Sequence, residues 1–464
     1  MYKLFHGIVL ACGLSLASTA TLAKVPEAEA AKLGKELTPY GAERAGNAAG
    51  TIPAWDGGIT ADKVPAEYTR PGMHHPDPFA DDKMLYKITA ANMAQYQDQL
   101  PAGIQALLKT YPDTFYVPVY PSRRSASAPQ WVYDNIARNA RTAELVKSGN
   151  GFTDAYGGVP FPIPKNAAGE IEPLMILWNH LTRWRGIYVK RSSADASVQR
   201  NGTFSLLVNE QEVDFLYYHR DGSFDKLDNR VLYFYSTVKS PARLAGSAVL
   251  VHDTLDQTRE PRAAWGYNAG QRRVRRAPNL AYDMPVASAD GLMTADDLDI
   301  FNGAPDRHDW VFVGKKEMLI PYNNYRLNSP DYKYADLLTP GHVNPEATRF
   351  ELHRVWVIEG RLKSGQRHLY SRRTFYLDED SWNIAVADQY DARGELWRVS
   401  LSYLMNYYEQ PVLWTALDVY HDLTSQRYFA GFLDNEEQGL LEFSDEPPEE
   451  GYFSPQSLRR RSKR

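Results

Sequence analysis

Cysteine is almost missing from this chain: Cys12 is the single example in 464 residues, and it lies in the first, apolar stretch. Once that stretch is removed no thiol remains, which excludes disulfides, thiolate metal sites and cysteine nucleophiles. Long apolar runs are missing too. Past the N-terminus no window stays apolar over the ~18 residues that a membrane-spanning helix needs, so no transmembrane helix is expected in the mature chain. An excess of positive charge is also lacking, since 52 Lys and Arg stand against 57 Asp and Glu for a net charge of −5. No global field draws such a chain to nucleic acid. Finally, the sequence contains no GxSxG elbow, no HExxH pair and no GxxxxGK phosphate loop, so familiar hydrolase, zinc-protease and nucleotide signatures are absent.

What is present begins with MYKLFHGIVLACGLSLASTATLA, which has a basic residue at Lys3, a mainly apolar stretch from Leu4 to Leu16 and a small-residue end at Thr21-Leu22-Ala23. This pattern predicts a secretory signal peptide over residues 1–23, cleaved after Ala23, and a periplasmic mature protein. Val9-Leu10-Ala11-Cys12 also resembles a lipoprotein box, which would make an outer-membrane lipoprotein anchored at Cys12. Apolar residues continue past it through Gly13-Leu14-Ser15-Leu16, where a lipidation site should close the run.

Residues 24–170 read as an extended and helical region. A short helix is expected at Glu27–Leu33, and Gly41–Pro78 is rich in Gly and Pro, as expected for an arm lying on a body formed later. Helices are predicted at Lys83–Gln99, Gly103–Thr110, Gln130–Lys147 and Pro173–Trp184, the last with Leu174, Leu177, Leu181 and Trp184 on one face. From about Gly186 the period falls to two. Strands are predicted at Thr203–Arg220, Arg230–Lys239, Ser247–Asp256, Arg259–Pro278, Arg349–Glu359, His368–Leu377, Asn383–Tyr390 and Glu395–Tyr403. Short turns between neighbours force antiparallel pairing. The expected fold class is therefore α+β, with residues 171–445 forming a large antiparallel sheet under a covering helix, helices packed on one face, and residues 446–464 an acidic-then-basic, solvated tail.

Three stretches, WGYNAGQRRVRRAPN, RFELHRVWVIEGRLKSGQRHLYSRRTFYLDEDSW and ADQYDARGELW, together resemble a bacterial family of exported proteins labelled as a domain of unknown function. That family is classed with the lipoprotein-localisation carriers LolA and LolB. The resemblance implies a LolA-like fold: a strongly curved, open antiparallel sheet, helices on its concave side, and an apolar cavity between them. It further implies a hydrophobic or lipid-like ligand, and as partners outer-membrane proteins or an export pump. The N-terminal region exceeds what the smaller carriers have.

Within Trp265–Asn279, Asn268-Ala269-Gly270 is expected to make a hairpin turn. Arg272, Val274 and Arg276 then face one way, while Arg273 and Arg275 face the other. A closed sandwich cannot bury those guanidinium groups unpaired. Either water reaches both faces or the arginines pair with Asp253, Asp256, Glu260 or Asp283. Trp265, Tyr267, Arg272, Arg273, Arg275 and Arg276 are the candidate ligand-binding residues, the arginines holding an anionic headgroup at a cavity mouth. His74-His75 with Asp77, Asp81 and Asp82 reads as a solvated loop rather than a metal site. His353 is expected opposite Tyr376, apart from His368, and Asp378-Glu379-Asp380 reads as a turn rather than catalytic carboxylates. No catalytic residue, metal or cofactor is assigned. The leading expectation is a non-enzymatic periplasmic carrier or chaperone serving outer-membrane transport. Its alternatives are an envelope hydrolase acting on carbohydrate or lipid, and an assembly factor for an outer-membrane channel.

Overall fold

The period-two stretches fold as strands, and the computed structural model, which describes residues 25–277 and 282–461, joins nearly all of them into one sheet. The signal peptide, Cys12, residues 278–281 and the last three residues lie outside the described residues. The first strands are short. β1 (Tyr86–Ile88) and β2 (Val117–Val119) pair antiparallel, and β3 (Glu144–Leu145) and β4 (Phe152–Thr153) form a separate ribbon. A meander follows through β5 (Tyr188–Val198), β6 (Phe204–Asp214), β7 (Arg230–Ser240), β8 (Ala248–Thr254), β9 (Ala263–Asn268) and β10 (Arg273–Ala277). A second runs from β11 (His308–Pro321) and β12 (Phe350–Leu362) through β13 (Arg372–Asp378), β14 (Ile384–Tyr390), β15 (Leu396–Tyr407), β16 (Val412–Asp422) and β17 (Arg427–Leu433). β17 pairs antiparallel with β5 and so fuses the meanders, while β18 (Glu442–Ser444) adds to the other end of β5. Among the described residues the strand order runs from β1 and β2 through β12 to β10, with β11 branching from β12, and its two ends do not pair, so the sheet stays open.

Six helices are described: α1 (Glu27–Ala30), α2 (Ala102–Thr110), α3 (Gln130–Thr142), α4 (Pro173–Leu181), α5 (Tyr334–Leu337) and α6 (Pro455–Arg461). In α2, Ile104, Leu107 and Leu108 recur at helical spacing and pack with Val399 and Leu401 of β15. α4 opens with Pro173 in its first turn, and the Glu172 carboxylate accepts from Leu174 N at 3.2 Å as its cap. Its Ile176 and Leu177 pack with Trp356 and Phe375 on the opposite side of the sheet. Helices therefore cover both faces, not one.

That double cover changes how β12 is to be understood. The alternation of Phe350, Leu352, Trp356 and Ile358 with Glu351, His353 and Glu359 reads as a strand with one wet face. Yet every residue from Phe350 to Gly360 is buried, because the N-terminal arm lies over the polar side. The arm forms as expected, without long elements, and anchors itself with Ile52 and Ile59 at 1% and 3% exposed. Residues 83–99, expected to be helical, instead supply β1 and two short 3-10 turns: Tyr86 and Ile88 pair with Val119 and Val117, and tertiary pairing overrides local propensity. α3 stops at Thr142 instead of Lys147 because β3 follows directly. The basic tail is not simply solvated, since Leu458 of α6 is 1% exposed and clusters with Tyr235 and Tyr267.

Candidate functional site

The arginine hairpin forms with β9 and β10 paired as expected, Trp265 opposite Arg276 and Tyr267 opposite Val274. Arg272 occupies the turn with φ +53°. Its neighbours Arg273, Arg275 and Arg276 are exposed along the last strand of the ladder, so water reaches both faces. The anticipated carboxylate partners are engaged elsewhere. Asp253 binds Arg262 in a fork of two 2.9 Å bonds, Glu260 pairs with Arg230 at 2.8 Å, Asp283 accepts from Leu369 N at 3.0 Å, and Asp256 accepts from Thr258 N at 3.0 Å. Tyr267 is 5% exposed in the cluster around Phe453, and Trp265 lies beside His252 with the Arg276 guanidinium 5.9 Å from its ring centre. Among the described residues, these six thus lie on the last two strands of the ladder and the turn between them. Charge on an edge strand blocks unwanted strand addition.

Among the described residues, packed side chains occupy the hollow implied between sheet and helices. Trp382, Phe375, Ile358, Trp178 and Tyr407 pack there, all at 4% exposure or less. A gap beside α4, bounded by Trp178, Leu181, Leu232 and Leu255, holds about 20 Å³, room for roughly one water.

Open volume lies elsewhere. A cleft of about 920 Å³ is bounded by the arm at residues 70–80, by the segment 325–332 before α5, and by residues 437–440 before β18. Each wall is pinned. In the arm His75, 7% exposed, stacks on Tyr68 at 4.8 Å, meets Tyr408 edge-on at 5.0 Å, and places Nε2 2.8 Å from the Glu409 carboxylate. This histidine is an anchor in an aromatic nest, not part of a solvated loop. The cleft floor is Tyr325, whose hydroxyl donates to Asn406 O at 2.7 Å and whose ring stacks on Tyr408 at 6.1 Å. The other two walls are tied together: Asn328 donates to Asp434 at 2.6 Å, Asn435 donates to Leu327 O and Ser329 O, and the Tyr334 hydroxyl donates to Glu437 at 2.9 Å. Burial pushes the Asp434 carboxyl up to about 7.

The lining divides evenly by character. Met73, Pro76, Ala80, Pro330 and Leu440 offer apolar contact, Tyr325 and Tyr332 offer rings, and Arg70, Arg326 and Asp331 stand exposed at the rim. His74 projects into it half-buried, its Nδ1 lacking a hydrogen-bond partner and its pKa lowered by burial. Sequence reading misses this cleft because its walls come from three distant segments; the Pro-flanked His74-His75 pair was the one local signal.

A second constellation sits under the arm. Tyr376 stands opposite Val357 rather than His353, four residues from the expected register, because the β12–β13 connection runs from Lys363 to Ser371 instead of closing in a two-residue turn. His353 is thereby carried past Val355, which pairs with Asp378, to the Asp378–Ser381 turn. His353 Nε2 lies 3.0 Å from Glu351 Oε2, and Tyr322 stacks on its ring at 3.9 Å. Asp380 is gripped by Arg124 through bonds of 2.8 and 2.7 Å, while Glu379 faces Lys315 at 2.5 Å and Arg354 at 3.2 Å. The spare donors of Arg124 hold the arm by Glu43 O, Arg44 O and Pro53 O. Burial and the neighbouring Asp380 charge push Asp378 up to about 7. Burial opposes the charged form of His353, but Glu351 outweighs it and raises the pKa. Glu351, His353, Asp378, Glu379 and Asp380 are all at most 3% exposed, so no extended substrate reaches this turn.

A family profile described as "Protein of unknown function (DUF1329)" matches residues 87–459. The chain belongs to this family. An uncharacterized protein of Pseudomonas aeruginosa, PA3922, is 46% identical over 456 residues, covering 98% of both chains. Among solved structures, a DUF1329 family protein from Desulfovibrio piger has 15% identity and a TM-score of 0.40, covering 59% of this chain and 92% of that one. A putative outer membrane lipoprotein-sorting protein domain from Vibrio parahaemolyticus has 13% identity, covers 61% of this chain and 97% of its own, and gives a TM-score of 0.41. A LolA superfamily protein from Nitrosomonas europaea, NE2245, has 11% identity, with 61% and 98% covered and a TM-score of 0.35.

Proposed function

We propose that this DUF1329 protein is a non-enzymatic carrier or chaperone of the bacterial envelope, and that it holds an amphiphilic, lipid-like molecule in the open cleft rather than beneath the sheet. The observation that carries this reading is the contrast in volume. The space under the helices is closed by side chains, whereas about 920 Å³ is open between residues 70–80, 325–332 and 437–440. That size suits a ligand of drug or acyl-chain dimensions. The mixed lining suits a molecule with one polar end: Arg70 and Arg326 face its head, and Met73, Leu440 and the Tyr325 ring cover its body. The export signal read in the sequence supports the envelope location. Titration of the mature protein with a fluorescent fatty acid tests the reading. Binding that weakens at least tenfold on Ala80→Trp, which fills the exposed rim, supports it; no binding by the parent protein, or binding unaffected by the substitution, contradicts it.

A second reading, an assembly factor docking to an outer-membrane channel, draws on β10, which ends the ladder among the described residues and whose exposed arginines would admit only a partner strand of opposite charge. Co-purification from envelope extracts that is lost on Val274→Pro supports it.

A further inference from the structure

The turn beneath the arm contains one oxygen that its protein neighbours do not explain. Asp378 is fully buried, and its Oδ2 accepts from the Ser381 hydroxyl at 2.6 Å and the Tyr322 hydroxyl at 3.2 Å. Its Oδ1, equally buried, has no hydrogen-bond partner. It points at His353 Nδ1 across 3.8 Å, too far for a hydrogen bond between the two. One ligand atom each from His353, Asp378 and Asp380 forms a group in which all lie within 4.8 Å of one another.

We propose that His353 Nδ1, Asp378 Oδ1 and the Asp380 carboxylate bind a divalent cation of the zinc class, and that this cation locks the N-terminal arm to the β12–β13 turn. One imidazole and two carboxylates are ligands that Zn²⁺ accepts, with donors about 2.0–2.2 Å from the ion. A small inward movement of the three groups reaches that spacing. Each is already aimed by a partner on its far side: Glu351 takes His353 Nε2, the Arg124 fork takes Asp380, and Tyr322 with Ser381 fixes Asp378. Such outer partners characterise metal sites, where they set ring orientation and ligand basicity. Carboxylate oxygens have two lone pairs each, so Asp380 can serve Arg124 and a cation together.

The surrounding network is dense in paired charge. Six carboxylates, Glu43, Asp82, Glu351, Asp378, Glu379 and Asp380, meet five basic side chains, Arg123, Arg124, Lys315, Arg349 and Arg354. Because Arg124 also holds three carbonyls of the arm, fixing Asp380 fixes the arm. The site is enclosed, so the role is structural and loading accompanies folding.

The test uses the full mature chain, stripped by chelator under mild denaturation and refolded with Co²⁺ as the probe. The expected result is about one Co²⁺ per chain with visible d–d absorption, displaced by Zn²⁺ and lost in Asp378→Asn and His353→Gln variants that keep the parent far-ultraviolet spectrum. A parent protein that takes up no Co²⁺ or Zn²⁺ overturns the proposal, and leaves a protonated His353 between Glu351 and Asp378 as the reading of the cluster. Uptake unchanged in both variants overturns it equally. Should both variants fail to fold, X-ray absorption of the Zn²⁺-loaded parent decides: a first shell with one imidazole and otherwise oxygen supports the site, while none or several imidazoles contradicts it.

Discussion

Val355 of β12 pairs with Asp378 of β13, and this single pairing sets what the buried turn contains. It places His353 beyond the end of the ladder, over the Asp378–Ser381 turn, where Glu351, Tyr322 and Asp378 surround it. A strand whose polar face meets the arm in place of solvent must satisfy every charge internally, and the Arg124 fork is the member of that network that reaches furthest.

Arg124→Leu is therefore expected to cost about 3–5 kcal/mol, because it leaves the Asp380 carboxylate buried without its partner. It also removes donors from three arm carbonyls. Chemical denaturation measures the first effect. Limited proteolysis measures the second: the variant is cut first within residues 41–78, whereas the parent resists there.

The exposed arginines of β10 have a different expected role. Arg273→Thr with Arg275→Thr removes charge from a free sheet edge, and the prediction is concentration-dependent self-association in size-exclusion chromatography. Thermal stability of the dilute protein is expected to stay within about 0.5 kcal/mol of the parent, since these side chains are exposed.

Asp418 gives a pH test. It is fully buried, one oxygen accepts from the Thr415 hydroxyl at 2.6 Å, and the other lacks a partner. Burial, reinforced by the Asp299 charge, pushes its pKa up to about 6 from an ordinary 3.8. A raised folded-state value means the folded form holds the proton more tightly, so this group's contribution is complete below about pH 4 and is lost as pH rises through 6. Asp418→Asn has no such loss. The variant is expected to exceed the parent by on the order of 3 kcal/mol at pH 8 and to converge with it near pH 4. Urea unfolding across that range checks both ends.

The hairpins at 230–256 and 263–277 and the run 384–407 were legible because period-two alternation and short turns are local signals. β1 was not, since Tyr86–Ile88 becomes a strand only by pairing with Val117–Val119. The strands at 412–422 and 427–433 carry side chains buried on both faces, which erases the alternation that marks a half-wet strand. For the site, the arginine cluster was visible as composition, but composition could not place it at an edge. His353 and Asp378 each stand out in the sequence, yet a four-residue register difference hides that they meet. The cleft was least legible, being walled by three distant segments that share no pattern.

Photo-cross-linking with a diazirine fatty acid, followed by peptide mapping, shows where the ligand sits. The expected labels fall on residues 70–80, 325–332 and 437–440, and a competing unlabelled amphiphile suppresses them. Labels concentrated on α4 and the Trp356–Phe375 face of the sheet, or along β9 and β10, would contradict a ligand seated in the open cleft.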